Sequence, residues 1–284
     1  KLDTDIKIVE LKKKSSIRSI FQINKYFKEN DIEVAIGTLA MAYVVALANL
    51  FGIKKCKYIS RIGSIISSNL SEYNLINRLI MSLYQKVLNF SDIVITQSKS
   101  MDNDLKNYIK KKSEVIYNPI STNRLLRLAN NESSIKIDDN YFNIISVGRL
   151  AHEKDYKTAI LSISKLKKKI ENIRYYILGD GNLKDELITY STSLTLHIDI
   201  IFLGYLDNPY PVMKKVNALL LTSLYEGFSN VILESLALKV PVVATDCPGG
   251  NREIIFQEKN GFLAKVGNSE DISNKLILVH KQKN

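Results

Sequence analysis

Hydrophobic and polar positions along this chain alternate between two rhythms. Short runs rich in β-branched and aromatic residues, bounded by polar or glycine-containing turns, give way to longer stretches with apolar residues every three or four positions. The short runs predict strands at residues 6–9, 33–36, 57–60, 93–96 and 114–117. The longer ones predict helices at 16–28, 39–50, 72–88 and 100–110. In the second half the rhythm is clearer, with strands at 143–147, 174–178, 198–202, 218–221 and 242–244. Helices are predicted there at 156–169, 183–194, 231–238 and 271–278. Strands alternating with helices of this length predict parallel sheets built from right-handed βαβ units. One stretch breaks the alternation. Beyond Asn118-Pro119-Ile120 the chain is polar and without a strand pattern as far as Asn140, which reads as a linker over residues 121–140. The fold class expected is therefore α/β, with two Rossmann-like, doubly wound domains facing a cleft. The first covers 1–120 and is incomplete at its start; the second covers 141–284. Ligands of such sheets bind beyond the carboxyl ends of the strands.

Composition removes several classes. With 45% hydrophobic and 24% charged residues among 284, the chain is ordinary globular material rather than disordered, collagenous or coiled-coil. Two cysteines, Cys56 and Cys247, exclude a disulfide scaffold and suit a reducing compartment. His152, His197 and His280 show no metal-ligand spacing with each other or with cysteine, so no zinc site is readable. The apolar stretch 39–51 is shorter than the roughly 20 residues of a spanning helix and reads as a buried helix. Charge adds a partner. Residues 1–140 carry 22 Lys and Arg against 14 Asp and Glu, whereas 141–284 carry 18 against 15. A basic first half suits an anionic membrane face, with Lys12, Lys13 and Lys14 well placed for it, or a phosphorylated ligand. A merely solvated basic face fits the same residues. The arginine and aromatic patterns of RNA-binding modules are absent, so nucleic acid is not an expected partner.

Three segments carry candidate chemistry. In Ser146-Val-Gly-Arg-Leu-Ala-His-Glu-Lys154 a strand runs out at Val147, Gly148 turns the chain, and Arg149 and Lys154 follow. Arginine as a fork and lysine as a point charge there suit a diphosphate. In Ile177-Leu-Gly-Asp-Gly-Asn182, Gly179 and Gly181 allow close backbone approach to a ligand, although Lys184 replaces the third glycine of a dinucleotide fingerprint. The third segment is Thr222-Ser-Leu-Tyr-Glu-Gly-Phe-Ser-Asn-Val-Ile-Leu-Glu-Ser-Leu-Ala237. A helix starting near Ser229 or Asn230 puts Glu226 in its entry loop and Glu234 on its first turns. The N–H groups of residues 227–231 and the positive helix end then form an anion site. Glu234 suits a ribose diol and Glu226 a sugar hydroxyl. Taken singly, each segment also fits an ordinary βα turn or a pair of surface glutamates.

Together the segments are far more specific. The run G-R-x4-K, L-G-D-G, Phe202-Leu-Gly204, S-x-x-E-G-F-x-N-V-x-L-E-S-x-A, P-V-V-A-T-D and Asn260-Gly-Phe-Leu263 resembles the donor domain of retaining family 4 glycosyltransferases. Residues 91–101 and 115–119 resemble the acceptor domain more faintly, and 245–253 look most like bacterial enzymes building surface polysaccharides or glycolipids. The resemblance implies the GT-B fold, a hexosyltransferase-type activity, a nucleotide sugar, read as a UDP-sugar, as substrate, no metal or other cofactor, and a glycan or lipid-linked acceptor. It implies a cytoplasmic enzyme, with a peripheral place on the inner face of the plasma membrane. By the same resemblance Gly148, Arg149 and Lys154 hold the diphosphate and Glu226 meets the donor sugar. Gly227, Phe228, Ser229, Asn230 and Val231 line sugar and phosphate, Glu234 takes the ribose, and Gly204 and Tyr205 lie by the base. Arg149, Lys154 and Glu226 are the expected catalytic set. Nothing before Ile6 supplies the family's opening strand and glycine-rich loop, and all three histidines lie after residue 150, whereas many members place one on the acceptor side. The chain also stops at Asn284 before the family's closing helix, so it reads as truncated at both ends; Arg61, Gly63 and Ser64 stand in on the acceptor side. A nucleotide-sugar epimerase of the same fold, or a non-catalytic partner subunit, fits the same motifs.

Overall fold

The computed structural model describes residues 7–10, 19–52, 56–71 and 74–283, in two units, Lys1–Tyr117 and Asn118–Asn284. In the first unit the elements are α1 Ile20–Glu29, β1 Val34–Thr38, α2 Ala40–Leu50, β2 Lys57–Arg61, α3 Ile66–Ser71 and α4 Leu75–Gln85. A 3-10 turn, Lys86–Phe90, leads to β3 Ile93–Thr96, α5 Lys99–Leu105 and β4 Ser113–Val115. All pairings are parallel, in the order β1-β2-β3-β4. Alanines 42, 46 and 48, with Val44 and Val45, let α2 lie close on β1 and β2, and Gly37 leaves room for the Met41 carbonyl, 2.4 Å from where a Cβ would sit. Asn74 and Ser98 start α4 and α5 by accepting the N–H groups of Asn77 and Met101, as N-cap side chains do.

Several expectations change here. Residues 7–10 form no strand, and Ile6 lies outside the described residues, as do Lys12, Lys13 and Lys14. The first helix starts at Ile20 within the described chain, and the helix expected over 100–110 stops at Leu105. The one expected over 72–88 is α4 plus the 3-10 turn, with 72 and 73 outside the described residues. The short polar α3 had no periodic signal.

The second unit runs α6 Thr122–Ala129, β5 Phe142–Val147, a 3-10 turn His152–Lys154, α7 Tyr156–Lys167, β6 Ile173–Leu178, α8 Lys184–Ser193 and β7 Ile200–Gly204. It continues with α9 Tyr210–Met213, β8 Ala218–Leu221, α10 Asn230–Ala237, β9 Val242–Thr245, α11 Asn251–Ile254, β10 Gly261–Ala264 and α12 Ser269–Lys283. The six strands are parallel in the order β10-β9-β8-β5-β6-β7. Strand β5 is buried on both faces. Ile144 packs with Ile160, Tyr175 and Leu276 on one side, and Ile145 packs with Tyr176, Leu219 and Ile232 on the other. Such near-continuous apolar strands are what helices on both faces of a parallel sheet require.

The linker expected over 121–140 is not a spacer. It holds α6, whose Leu125 and Ala129 are buried in the same core as Ile145 and Ile232. Two apolar positions one helical turn apart suffice to dock it, and the polar remainder of the segment masks them. The unit boundary falls at Tyr117, not 120. Strand β7 lies later than the expected 198–202 because the buried Asp199 is held by Lys167 and Arg174 before the strand begins.

Candidate active site at the strand-order reversal

The second sheet reverses direction once. From β5 the chain steps outward to β6 and β7, then returns to β8 on the other side of β5 and steps outward to β9 and β10. Parallel pairing of Ile144 with Ala218 and Ile145 with Leu219 brings the carboxyl ends of β5 and β8 out side by side. The loops that follow are Gly148–Lys154 and Thr222–Ser229. In open α/β sheets the crevice at this reversal is where ligands bind.

The two loops are sewn together. Leu224 N–H donates to the Glu153 carbonyl (2.9 Å), and the Thr222 hydroxyl reaches the carbonyls of Lys154 (2.9 Å) and Asp155 (3.0 Å). Lys154 Nζ lies 2.6 Å from Glu226 Oε1, which also accepts from Ser223 Oγ at 2.7 Å. Both charged side chains are mostly buried, 20% and 11% exposed. The expected diphosphate cation and the expected sugar contact are thus one ion pair. Arg149 instead stands 78% exposed and pairs with Glu153 at 2.7 Å. Its guanidinium keeps most of its donors toward solvent. Two groups beneath feel the negative charge. Burial, then Glu226, pushes the Cys247 thiol up to about 12 and raises the Tyr156 phenol well above its usual range. The Tyr156 hydroxyl donates to the Gly148 carbonyl (3.2 Å) and steadies that turn.

Glycines set the loop geometry, partly against expectation. A Cβ on Gly179 would lie 1.9 Å from the Gly148 carbonyl oxygen, and one on Gly181 would lie 2.4 Å from that of Leu150. The backbone of the neighbouring loop therefore requires glycine at both positions. Sequence reasoning gave no role to Gly249. Its φ is +132°, and a Cβ there would lie 2.0 Å from the Glu226 carbonyl oxygen. Glu226 N–H donates to the Pro248 carbonyl and Gly250 N–H to that of Gly227, both at 2.9 Å. The segment 245–253 therefore fixes the Glu226 loop.

Helix α10 starts at Asn230 with Ser229 as its N-cap residue, so Glu226 lies in the entry loop and Glu234 on the helix, as expected. Asn230 and Glu234, one turn apart, face a cavity of about 300 Å³ bounded by Pro119, Arg124, Leu128, Asp207 and Tyr210. Tyr210 donates its hydroxyl to Glu234 Oε1 at 3.1 Å. Burial raises the Glu234 carboxyl above its ordinary value, and this hydrogen bond offsets part of the rise. Tyr210, Arg124 and Asp207 were missed. Tyr210 bonds Glu234, and Arg124 and Asp207 share its cavity, because the supposed linker and the segment around the short α9 pack beside α10, which no local pattern announces. Gly204 closes β7 at φ +70°, and Tyr205 follows it 74% exposed, outside the lining of that cavity.

In the first unit Arg61 ends β2, and Gly63 and Ser64 follow it. Ser64 accepts from Asn69 Nδ2 at 2.8 Å and, with Tyr43, Ile62 and Met81, lines a cavity of about 320 Å³. Among the described residues no group of three or more His, Cys, Asp or Glu side chains is placed to hold a metal ion, and no helix is long and apolar enough to cross a membrane.

A family profile described as "Glycosyl transferases group 1" matches residues 129–284. The chain belongs to that family. It is 33% identical over 236 residues to the Campylobacter jejuni "N-acetylgalactosamine-N,N'-diacetylbacillosaminyl-diphospho-undecaprenol 4-alpha-N-acetylgalactosaminyltransferase", covering 81% of this chain and 62% of that protein. It is 29% identical over 240 residues to the Escherichia coli "O-antigen biosynthesis glycosyltransferase WclY", covering 83% of this chain and 67% of that one. Thus the group 1 chain described here spans about two thirds of the length of these relatives. In three dimensions it matches the crystal structure of Anabaena HepE in complex with UDP, with a TM-score of 0.75 at 21% identity, over 93% of this chain and 73% of that one. The GT-B fold class and the resemblance read from the motifs are both borne out.

Proposed function

We propose that this chain forms much of a retaining glycosyltransferase that moves a sugar from a nucleotide sugar, a UDP-sugar, to a glycan or lipid-linked acceptor in cell-surface polysaccharide assembly. The observation that carries the reading is the pairing of Lys154 with Glu226 beside Arg149 at the strand-order reversal. The relatives' names, an undecaprenol-linked saccharide in one and O-antigen biosynthesis in the other, support the acceptor class. UDP in the HepE structure fits the donor.

The proposed chemistry follows from charge. Breaking the sugar–phosphate bond leaves a nucleoside diphosphate with growing negative charge. Arg149 and Lys154 meet that charge from fixed positions, with the α10 start adding the positive end of its dipole. In this reaction the two side chains supply the positive charge, with no metal or other cofactor. Glu226 is already held by Lys154 and Ser223, which suits a carboxylate that accepts sugar hydroxyls rather than one that attacks carbon. The acceptor hydroxyl then attacks on the face the diphosphate leaves and passes its proton to the departing phosphate oxygen, which retains configuration. Glu234, with Tyr210, takes the ribose hydroxyls in the 300 Å³ cavity, and Gly204 and Tyr205 lie toward the base. Arg61, Gly63 and Ser64 serve the acceptor. The enzyme works in the cytoplasm, against the inner membrane face, without nucleic acid.

Calorimetry with UDP, run beside transfer from labelled donors by the full-length protein, tests the assignment. Glu234→Ala should weaken UDP binding by about 1.5–3 kcal/mol, the worth of a hydrogen bond to a charged group. Glu226→Ala should leave UDP affinity unchanged and remove transfer. Normal UDP binding and normal transfer in both variants would overturn the reading.

A further inference from the structure

Helix α4 turns its hydrophobic side outward. Asn74 caps its start, and the residues it lays against the rest of the unit are Met81, Tyr84 and Gln85. Tyr84 stacks on Tyr43 at 4.8 Å, and Gln85 accepts from the Tyr43 hydroxyl at 2.5 Å. At 100° per residue, Leu75, Ile76, Leu79, Ile80 and Leu83 share the opposite face. Each is more than half exposed, from 84% at Leu75 to 52% at Leu83. An amphipathic helix of a folded unit normally buries that stripe. Here Met81, Tyr84 and Gln85 do the packing, and a continuous apolar strip of two Ile and three Leu faces outward. Contiguous apolar surface of this kind marks an interaction site.

Positive charge flanks the strip. Arg78 lies on the helix itself, and Lys86 opens the 3-10 turn that continues from it. In that turn Asn89 Oδ1 accepts the backbone N–H groups of Lys110 and Lys111, both at 2.9 Å, which pins Lys110, Lys111 and Lys112 beside the helix end. Of the nearby acids, Asp102 pairs with Lys106 and Asp104 accepts the N–H groups of Ile66 and Ser67, whereas Glu114 stands exposed two residues beyond Lys112. A convex helix, apolar on its crest with cations at its end, has the chemistry of an interfacial helix rather than of a groove for a peptide.

We infer that α4 is a membrane-docking element that seats its Leu/Ile face in an anionic bilayer, with Arg78, Lys86 and Lys110–Lys112 on the headgroups. This rests on the lipid-linked acceptor proposed above and names the element that brings the enzyme to it. The face lies in the first unit, away in sequence from every residue assigned to UDP, so the two readings fail separately.

The test is flotation of the protein with vesicles of phosphatidylcholine, alone or mixed with phosphatidylglycerol, at low and high salt, with UDP calorimetry on the same samples. The chain has no tryptophan, so Ile80→Trp gives a single reporter, and Phe256→Trp, exposed in the other unit, gives the control. Wild type should float with the anionic vesicles at low salt and be released at high salt as the screening length contracts. Ile80→Trp emission should shift to the blue on adding those vesicles, and Phe256→Trp emission should stay in place. Leu79→Glu/Ile80→Glu should abolish flotation with UDP affinity unchanged. Each of Lys110→Ala, Lys111→Ala and Lys112→Ala should weaken partitioning by about fivefold, the equivalent of roughly 1 kcal/mol per cation near an anionic surface. No flotation and no emission shift at low salt would overturn the inference, as would flotation unaffected by the double glutamate variant. Self-association in sedimentation velocity that this variant abolishes, without vesicle binding in wild type, would assign the face to a second protein copy and also overturn it. If the double variant fails to fold by circular dichroism, the Ile80→Trp emission decides. Lost UDP binding with flotation intact would count against the donor assignment alone.

Discussion

At the scale of single residues, the site separates two lysine- and arginine-borne charges that the sequence presented as a pair. Arg149 is mostly exposed, whereas Lys154 is largely buried against Glu226. Removing Lys154 leaves a largely buried carboxylate with the Ser223 hydroxyl still donating to it but no cation against it among the described residues, and a stranded buried charge costs more than a lost contact. Lys154→Ala is therefore expected to lower unfolding free energy by about 1–3 kcal/mol, while Arg149→Ala stays within about 0.5 kcal/mol, as exposed i,i+4 pairs do. Both should weaken UDP. Urea melts beside calorimetry distinguish the two effects, and equal stability losses would remove the distinction drawn between these cations. Glu234 carries a pH signature. Burial raises its folded-state pKa above the ordinary 4.5. A carboxyl so raised holds its proton more tightly when folded, so the stability it contributes is fully present below 4.5 and is lost as pH rises through the folded value. Glu234→Gln should flatten that part of the stability profile and be the more stable form above it. Urea melts of both proteins from about pH 4 to 7 check this, and parallel profiles would count against it.

At the scale of elements, the strands and helices beside the site were mostly legible. Strand β8 was read to the residue, and β5, α7 and α10 fell within two residues of their observed ends, because each has an apolar period long enough to read. Helix α6 was not legible. Its segment is polar on average, and its value lies in Leu125 and Ala129 meeting strands far away in sequence. Leu125→Ala should cost about 2–4 kcal/mol, as buried leucines do, which a spacer would not. Because α6 also carries Arg124 into the cavity lining, the same variant should weaken UDP binding. A thermal melt unchanged by Leu125→Ala would restore the linker reading. The glycine turns show the converse case. Gly179 and Gly181 were found by motif, yet the atoms that demand glycine belong to the loop after β5, as seen only once β5 and β6 pair.

For the whole molecule, each unit carries its own cores. Ile62, Leu88 and Val94 cluster in the first, and Ile144, Ile163 and Val243 in the second. Ligands that bind the native state stabilise only what they bind, by about 2.7 kcal/mol at a hundredfold excess over Kd. UDP should therefore raise the melting temperature of the second unit alone, seen in calorimetry as one transition moving and one standing still. A shift in both together would show the units unfolding as one. The sequence by itself determined the α/β class, the alternation of strands with helices, and the positions of Gly148, Arg149, Lys154, Glu226 and Glu234 just past strands or on a helix start. Those features depend on local periodicity and on turn chemistry, which neighbouring residues express without help. The tertiary structure alone decided that β8 returns to lie against β5, and hence that Lys154 finds Glu226 across 72 positions of chain. It also decided that α6 walls the Glu234 cavity and that α4 shows solvent its apolar side. Strand order and helix facing are set by which surfaces bury together, a property of pairs of distant segments that no single window of sequence contains.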